Sequence, residues 1–126
     1  MKKALVIDDD EIYLDLLCIV LSKEGFTVVS TADAPQGVLL FKQHRPAIVL
    51  LDLGLPSMSG LEVLREIRTI DPDAKVIVIT GYGSAESSSA SMRMGALEFI
   101  EKTADLETMI GKIKKALQRA DSDINQ

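Results

Sequence analysis

The chain of 126 residues has one cysteine, one histidine and no tryptophan, and its positive charges, 14 Lys and Arg, are outnumbered by 19 Asp and Glu. Each shortage excludes something. A single Cys18 leaves no internal disulfide, and one Cys with one His44 cannot build a structural zinc site. A formal net charge of −5 argues against a nucleic-acid footprint. The longest uninterrupted apolar runs, residues 16–21 and 46–51, fall far short of the roughly 18 residues that cross a bilayer. Lys2 and Lys3 before an apolar stretch imitate a signal peptide, but that stretch meets Asp8, Asp9 and Asp10 after four residues. The chain therefore reads as cytoplasmic, with no membrane or direct nucleic-acid partner. Cys18 lies within an apolar run and reads as a small buried hydrophobe, and His44 reads as a surface residue at a helix end.

What is present is a rhythm. Five short apolar, β-branched runs occupy residues 4–7, 26–29, 47–51, 75–79 and 97–100, so their starts recur every 21 to 28 positions. The first, third and fourth are nearly continuous in apolar character, as expected of strands covered on both faces. Helical stretches with legible ends lie between them. Asp33 with Gln36, and Ser59 with Glu62, read as caps with a reciprocal partner three residues on. Gly25 and Gly95 sit where a helix stops in a left-handed residue, while Arg45-Pro46 and Asp71-Pro72 end two more. A last helix is expected near 104–119. The fold class is α/β, a doubly wound five-stranded parallel sheet with helices on both faces. A domain over 1–120 and a frayed polar tail over 121–126 account for the sequence, with no linker, repeat or second domain.

The unusual residues fall at strand ends. Asp8 and Asp9 follow the first strand, Asp52 the third, Thr80 closes the fourth, and Lys102 follows the fifth. In a parallel sheet those ends emerge along one edge, where open α/β folds bind ligands. Taken singly each has an ordinary reading: a charge on a helix dipole, a turn residue, a cap, a solvated lysine. Together they define a crevice. Three crowded carboxylates raise one another's pKa unless a cation sits among them, and hard oxygen donors without imidazole or thiolate match Mg²⁺. Magnesium taking one or two carboxylates plus phosphate points to phosphoryl chemistry. Asp52 is then the nucleophile, forming an acyl phosphate, with Lys102 and Thr80 holding the equatorial oxygens.

These residues resemble the receiver domain of two-component response regulators over nearly the whole chain. The acidic pair maps onto Asp8 and Asp9, and the phosphoacceptor segment onto Asp52 with Pro56 four and Gly60 eight residues later. Thr80-Gly81 resembles the family's hydroxyl and its small neighbour, and Phe99, three residues before Lys102, its switch aromatic. The resemblance implies a flavodoxin-like strand order of 2-1-3-4-5. It also implies Mg²⁺ held by Asp9, Asp52 and the carbonyl of Gly54, with Asp8 acting through water. Gly54 and Tyr82 are expected to tune access of hydrolytic water. The implied activity is that of a phosphorylation-controlled switch, not a turnover enzyme. Asp52 takes a phosphoryl group from a sensor histidine kinase or phosphotransfer protein, and the face made by the fourth helix, fifth strand and fifth helix then changes its hold on a target, an output domain or a second copy.

The family usually has proline after the lysine, where this chain has Thr103. Either a cis bond is retained at about 2.5–4 kcal/mol, or the bond is trans, which that cost favours. Two rival functions remain. A haloacid-dehalogenase-like phosphatase places a second aspartate two residues after its nucleophile, but that position is Gly54, which cannot transfer a proton. A pseudo-receiver would work without phosphorylation. Ser84, Ser87, Ser88, Ser89 and Ser91 crowd the expected fourth helix, either as a solvated face or as a marginally stable helix that phosphorylation shifts. A full-length single-domain regulator and an excised receiver both fit this sequence.

Overall fold

The computed structural model describes residues 2–81, 83–102 and 105–124, the last four for their backbone alone. Strands and helices alternate: β1 (Lys3–Ile7), α1 (Glu11–Lys23), β2 (Thr27–Thr31), α2 (Ala34–His44), β3 (Ile48–Leu51), α3 (Gly60–Ile70), β4 (Val76–Thr80), α4 (Ala85–Arg93), β5 (Glu98–Glu101) and α5 (Leu106–Ile124). All neighbouring strands pair in parallel, in the order β2-β1-β3-β4-β5. The order reverses between β1 and β3, so the connections after these two strands leave on opposite faces and open a crevice at their carboxyl ends.

The near-continuous apolar runs follow from burial on both faces. Along β1, Ala4 and Val6 join a cluster with Leu17 and Leu21 of α1 and Met109 and Ile113 of α5. Leu5 and Ile7 join the opposite cluster, with Phe41 of α2 and Val63, Leu64 and Ile67 of α3. The strand period of two divides each run between the layers. Cys18 is half-buried beside the first cluster.

Helix ends follow the local chemistry. Asp33 caps α2 by accepting from Gln36 N at 3.0 Å, and Ser59 caps α3 by accepting from Leu61 N at 3.3 Å. The reciprocal half is not formed at Asp33, because Thr31 Oγ1 accepts from Asp33 N at 3.1 Å and donates to Gln36 Oε1 at 2.8 Å. Gly25 and Gly95 take φ of +92° and +96°, as their positions required. Arg45, held just before Pro46, is left-handed at φ 43° despite its side chain. α5 carries helical backbone to Ile124, into the stretch where the sequence is expected to fray.

Candidate functional site

Four of the expected residues are set in place by the ladders that extend past the strands. Asp8 N donates to Thr31 O at 3.1 Å, Asp52 N to Ile7 O at 2.9 Å, and Lys102 N to Thr80 O at 2.9 Å. These bonds place Asp8, Asp52, Thr80 and Lys102 on one edge, although ninety-four positions separate the first from the last. Asp8 is 1% exposed, Asp52 2% and Thr80 0%. The Lys102 side chain is 8% exposed, and its Nζ stands 3.0 Å from Asp52 Oδ2 and 2.9 Å from Asp8 Oδ2. The contact to Asp52 is a hydrogen bond; that to Asp8 is an ion pair without hydrogen-bond alignment, which leaves Asp8 Oδ2 with acceptor capacity to spare.

The two carboxyls are tuned apart. Burial pushes Asp8 up to about 6, against the pull of Lys102 and of Asp10 N–H, which donates to Asp8 Oδ1 at 2.9 Å. Asp52 is also penalised by burial, but the Gly54 N–H at 3.1 Å, Lys102 and the Thr80 hydroxyl outweigh it and hold the carboxyl below its ordinary value. Burial acts to lower Lys102, and the two carboxylates overcome it and raise the ammonium. A buried carboxyl held ionised at neutral pH is in the protonation state that a carboxylate nucleophile requires.

Asp9 is exposed, and one carboxylate oxygen from each of Asp8, Asp9 and Asp52 lies within 4.8 Å of the others. This all-oxygen set, open to solvent on the Asp9 side and holding an under-used acceptor on Asp8, fits a hard divalent cation such as Mg²⁺. Asp10 takes no part in it; its side chain caps α1 by accepting from Ile12 N at 3.0 Å. Gly54 lies in the loop after Asp52, with its N–H committed to that carboxylate. Gly60 permits the loop's close return: a Cβ there would lie 2.4 Å from Leu53 Cα and 2.6 Å from Asp52 O. Gly81 flanks the lysine stem, where an added Cβ would stand 3.9 Å from Lys102 Cδ.

Phe99 is not part of the crevice. It is half-buried on β5 against the α2–α3 side of the sheet, and its Cε1 would lie 3.2 Å from a Cβ at Gly83. Tyr82 and the Lys102–Thr103 bond lie outside the described residues. One neighbour went unmarked in the sequence: Tyr13 of α1, whose ring centroid is 4.3 Å from Lys102 Nζ. The available signal was its place one helical turn past Asp9, on the helix that starts at the crevice.

Fold and site together define a doubly wound α/β domain with an acidic, lysine-capped pocket where its strand order reverses. The chain belongs to the response regulator receiver domain family, whose model matches residues 4–114. Members are phosphorylation-controlled switches that bind Mg²⁺ through an acidic pocket and interact with kinases and output domains. The chain is 34% identical over 116 residues to sporulation initiation phosphotransferase F of Bacillus subtilis, covering 92% of this chain and 94% of that protein. It is 33% identical over 104 residues to the photosynthetic apparatus regulatory protein RegA of Rhodobacter capsulatus, covering 82% of this chain but 56% of that longer relative. Among solved structures, a CheY-like receiver domain protein from Methanospirillum hungatei superposes with a TM-score of 0.86 at 32% identity over 98% of both chains. CheY in the CheX–CheY–BeF₃–Mg²⁺ complex of Borrelia burgdorferi gives 0.84 at 29% identity, over 94% of this chain and 87% of that one. Among the described residues no helix is long and apolar enough to cross a membrane.

Proposed function

We propose that Asp52 is the phosphoacceptor of a cytoplasmic signalling switch. The observation that carries the reading is the Asp52 carboxylate, 2% exposed and kept ionised, with the Lys102 ammonium 3.0 Å away. An Asp52 oxygen attacks the phosphorus of a phosphohistidine on a sensor kinase or phosphotransfer protein. The P–N bond breaks, its electron pair returns to the imidazole, and an acyl phosphate forms on Asp52. Lys102 and the Thr80 hydroxyl then hold two phosphoryl oxygens. Asp9, Asp52 and the Gly54 carbonyl would hold Mg²⁺, with Asp8 acting through water, and the cation would supply charge for the phosphoryl oxygens. The Borrelia relative's complex with BeF₃ and Mg²⁺ supports this assignment.

Gly54 has no side chain to act as general acid or base, so the acyl phosphate persists long enough to signal. Movement of Thr80 toward the phosphoryl group frees space for Phe99 to turn inward, remodelling the surface of α4, β5 and α5 where a target, an output domain or a second copy docks. Reversing a 1:99 equilibrium needs about 5.5 kcal/mol of differential interaction, and a phosphoryl charge of nearly −2 beside Lys102 is of the kind that supplies it.

Intact-mass measurement after exposure to acetyl phosphate and Mg²⁺ tests the reading. The expected result is one stable phosphoryl increment, absent in Asp52→Asn. Repeated release of phosphate from a free monoester would favour a turnover phosphatase. No increment together with no Mg²⁺ binding would favour a phosphorylation-independent receiver.

A further inference from the structure

Lys102 is the first residue past β5, and Thr103, Ala104 and Asp105 follow it, none of which fixes the backbone as a proline does. Its ammonium nonetheless bridges two carboxylates that follow different strands. An ammonium has three donors. One is directed toward Asp52, Asp8 Oδ2 lies 2.9 Å away as an ion pair, and the Tyr13 ring covers a further side of the group with its centroid 4.3 Å from Nζ. That lies inside the roughly 6 Å range of cation–π attraction, which strengthens when the cation is removed from water. Lys102 meets this condition, its side chain being 8% exposed.

The helical turn that carries the ring is fixed at its start. Tyr13 is the third residue of α1, whose start is fixed by the Asp10 cap and by Asp10 N donating to Asp8 Oδ1. The carboxylate of Asp8 is thus followed, five residues on, by the ring that holds the ammonium against it.

We propose that Tyr13 is the positioning residue of Lys102: its ring holds the ammonium across Asp8 and Asp52, favouring phosphoryl transfer and opposing entry of the divalent cation. The inference rests on the phosphoacceptor reading for its first half only. The logic is competition. An incoming phosphoryl group needs the ammonium beside Asp52, whereas an incoming cation needs Asp8 released from it. A ring that presses the lysine inward helps the first and hinders the second. Tyr13 also packs against the first core cluster, and a purely packing role would move both properties in the same direction.

Tyr13→Leu keeps apolar bulk and loses the ring; Tyr13→Phe keeps the ring. In the full chain, titration calorimetry reads Mg²⁺ affinity, and intact mass against time reads phosphorylation by acetyl phosphate at saturating Mg²⁺. For Tyr13→Leu we expect Mg²⁺ to bind about three- to tenfold more tightly and phosphorylation to slow by about three- to tenfold, between the values of an exposed and a fully desolvated cation–π contact. Tyr13→Phe restores both. The Lys102 ε-methylene protons, expected upfield in the native protein beneath the ring, should move downfield in Tyr13→Leu and stay in Tyr13→Phe. Both properties unchanged, both weakened together, or an unmoved Lys102 resonance would overturn the proposal. If the native protein takes no phosphoryl group, the phosphoacceptor reading fails, and Mg²⁺ affinity with the Lys102 resonance still decides the role of Tyr13.

Discussion

Asp8 and Asp52 lean on the same ammonium, yet their carboxyls move in opposite directions from 3.8. The difference lies in what else each touches. Asp52 has the Gly54 N–H and the Thr80 hydroxyl beside Lys102, while burial dominates at Asp8. Because the native value of Asp8 is raised to about 6, the folded protein binds its proton more tightly than the unfolded chain. That contribution to stability is fully present below 3.8 and is lost as pH rises to about 6; above this, ionised Asp8 is a standing cost. Asp52 has the opposite sign, contributing stability above 3.8 that disappears as pH falls through its depressed native value. Asp8→Asn should therefore melt about 3–6 °C above the native protein at pH 7 without divalent cations, with the gap narrowing toward pH 4. Melting curves at several pH values check this, and equal midpoints at pH 7 would contradict it. The five polar residues at strand ends were legible because each lies at or within two residues of the carboxyl end of an apolar run. Tyr13 was not, because an aromatic on a helix facing a sheet reads first as core, and only the position of Lys102 in space gives it a second role.

At the scale of elements, apolar runs located every strand to within two residues and breakers marked most helix ends, since the signals that end an element are local: Gly25, Gly95, Asp71 before Pro72. The last helix, expected to end near 119, runs on to Ile124. Partnerships across elements were not local and were not legible, as Thr31 shows by taking the place expected for a reciprocal Asp33–Gln36 pair. The serines of α4 divide by role. Ser84 and Ser87 form a capping box, with Ser84 Oγ accepting from Ser87 N at 3.0 Å and Ser87 Oγ from Ser84 N at 2.9 Å. Ser91 is 0% exposed and its hydroxyl has no hydrogen-bond partner among the described residues. A buried hydroxyl without a partner costs about 1–3 kcal/mol, in a helix of nine residues already rich in a mediocre helix former. α4 is therefore a helix with a firm start and a weak inner face. Ser91→Ala should slow hydrogen exchange of the α4 amides by roughly five- to hundredfold and leave those of α3 unchanged. Exchange in α4 that is unaffected by the substitution would show that the orphaned hydroxyl costs the helix nothing.

For the molecule as a whole, strand order is what turns scattered residues into a site. With β1 and β3 adjacent and their crossovers leaving on opposite faces, Asp8, Asp9 and Asp52 meet in the crevice between those connections. The excess of acid in the composition, −5 overall, thus has three of its members held within 4.8 Å, where they repel. Lys102 neutralises part of that charge, and Asp9, exposed on the rim, is the least compensated. A divalent cation that enters there relieves the repulsion only in the folded chain, because the three residues come together only when the sheet forms. Binding restricted to the native state adds RT ln(1 + [L]/Kd), about 1.4 kcal/mol at about ten times Kd. Millimolar Mg²⁺ should accordingly raise the melting midpoint by several degrees at pH 7, and less at pH 5, where Asp8 takes a proton in place of the cation. Asp9→Asn should abolish the rise while leaving the metal-free midpoint within about 1–2 °C of native, because an exposed carboxyl contributes little to folding. Thermal scans with Mg²⁺, Ca²⁺, Zn²⁺ and chelator decide the matter. A midpoint unmoved by Mg²⁺ but raised by Zn²⁺ would assign the pocket to a softer ion, and a rise that survives Asp9→Asn would place the cation elsewhere on the chain.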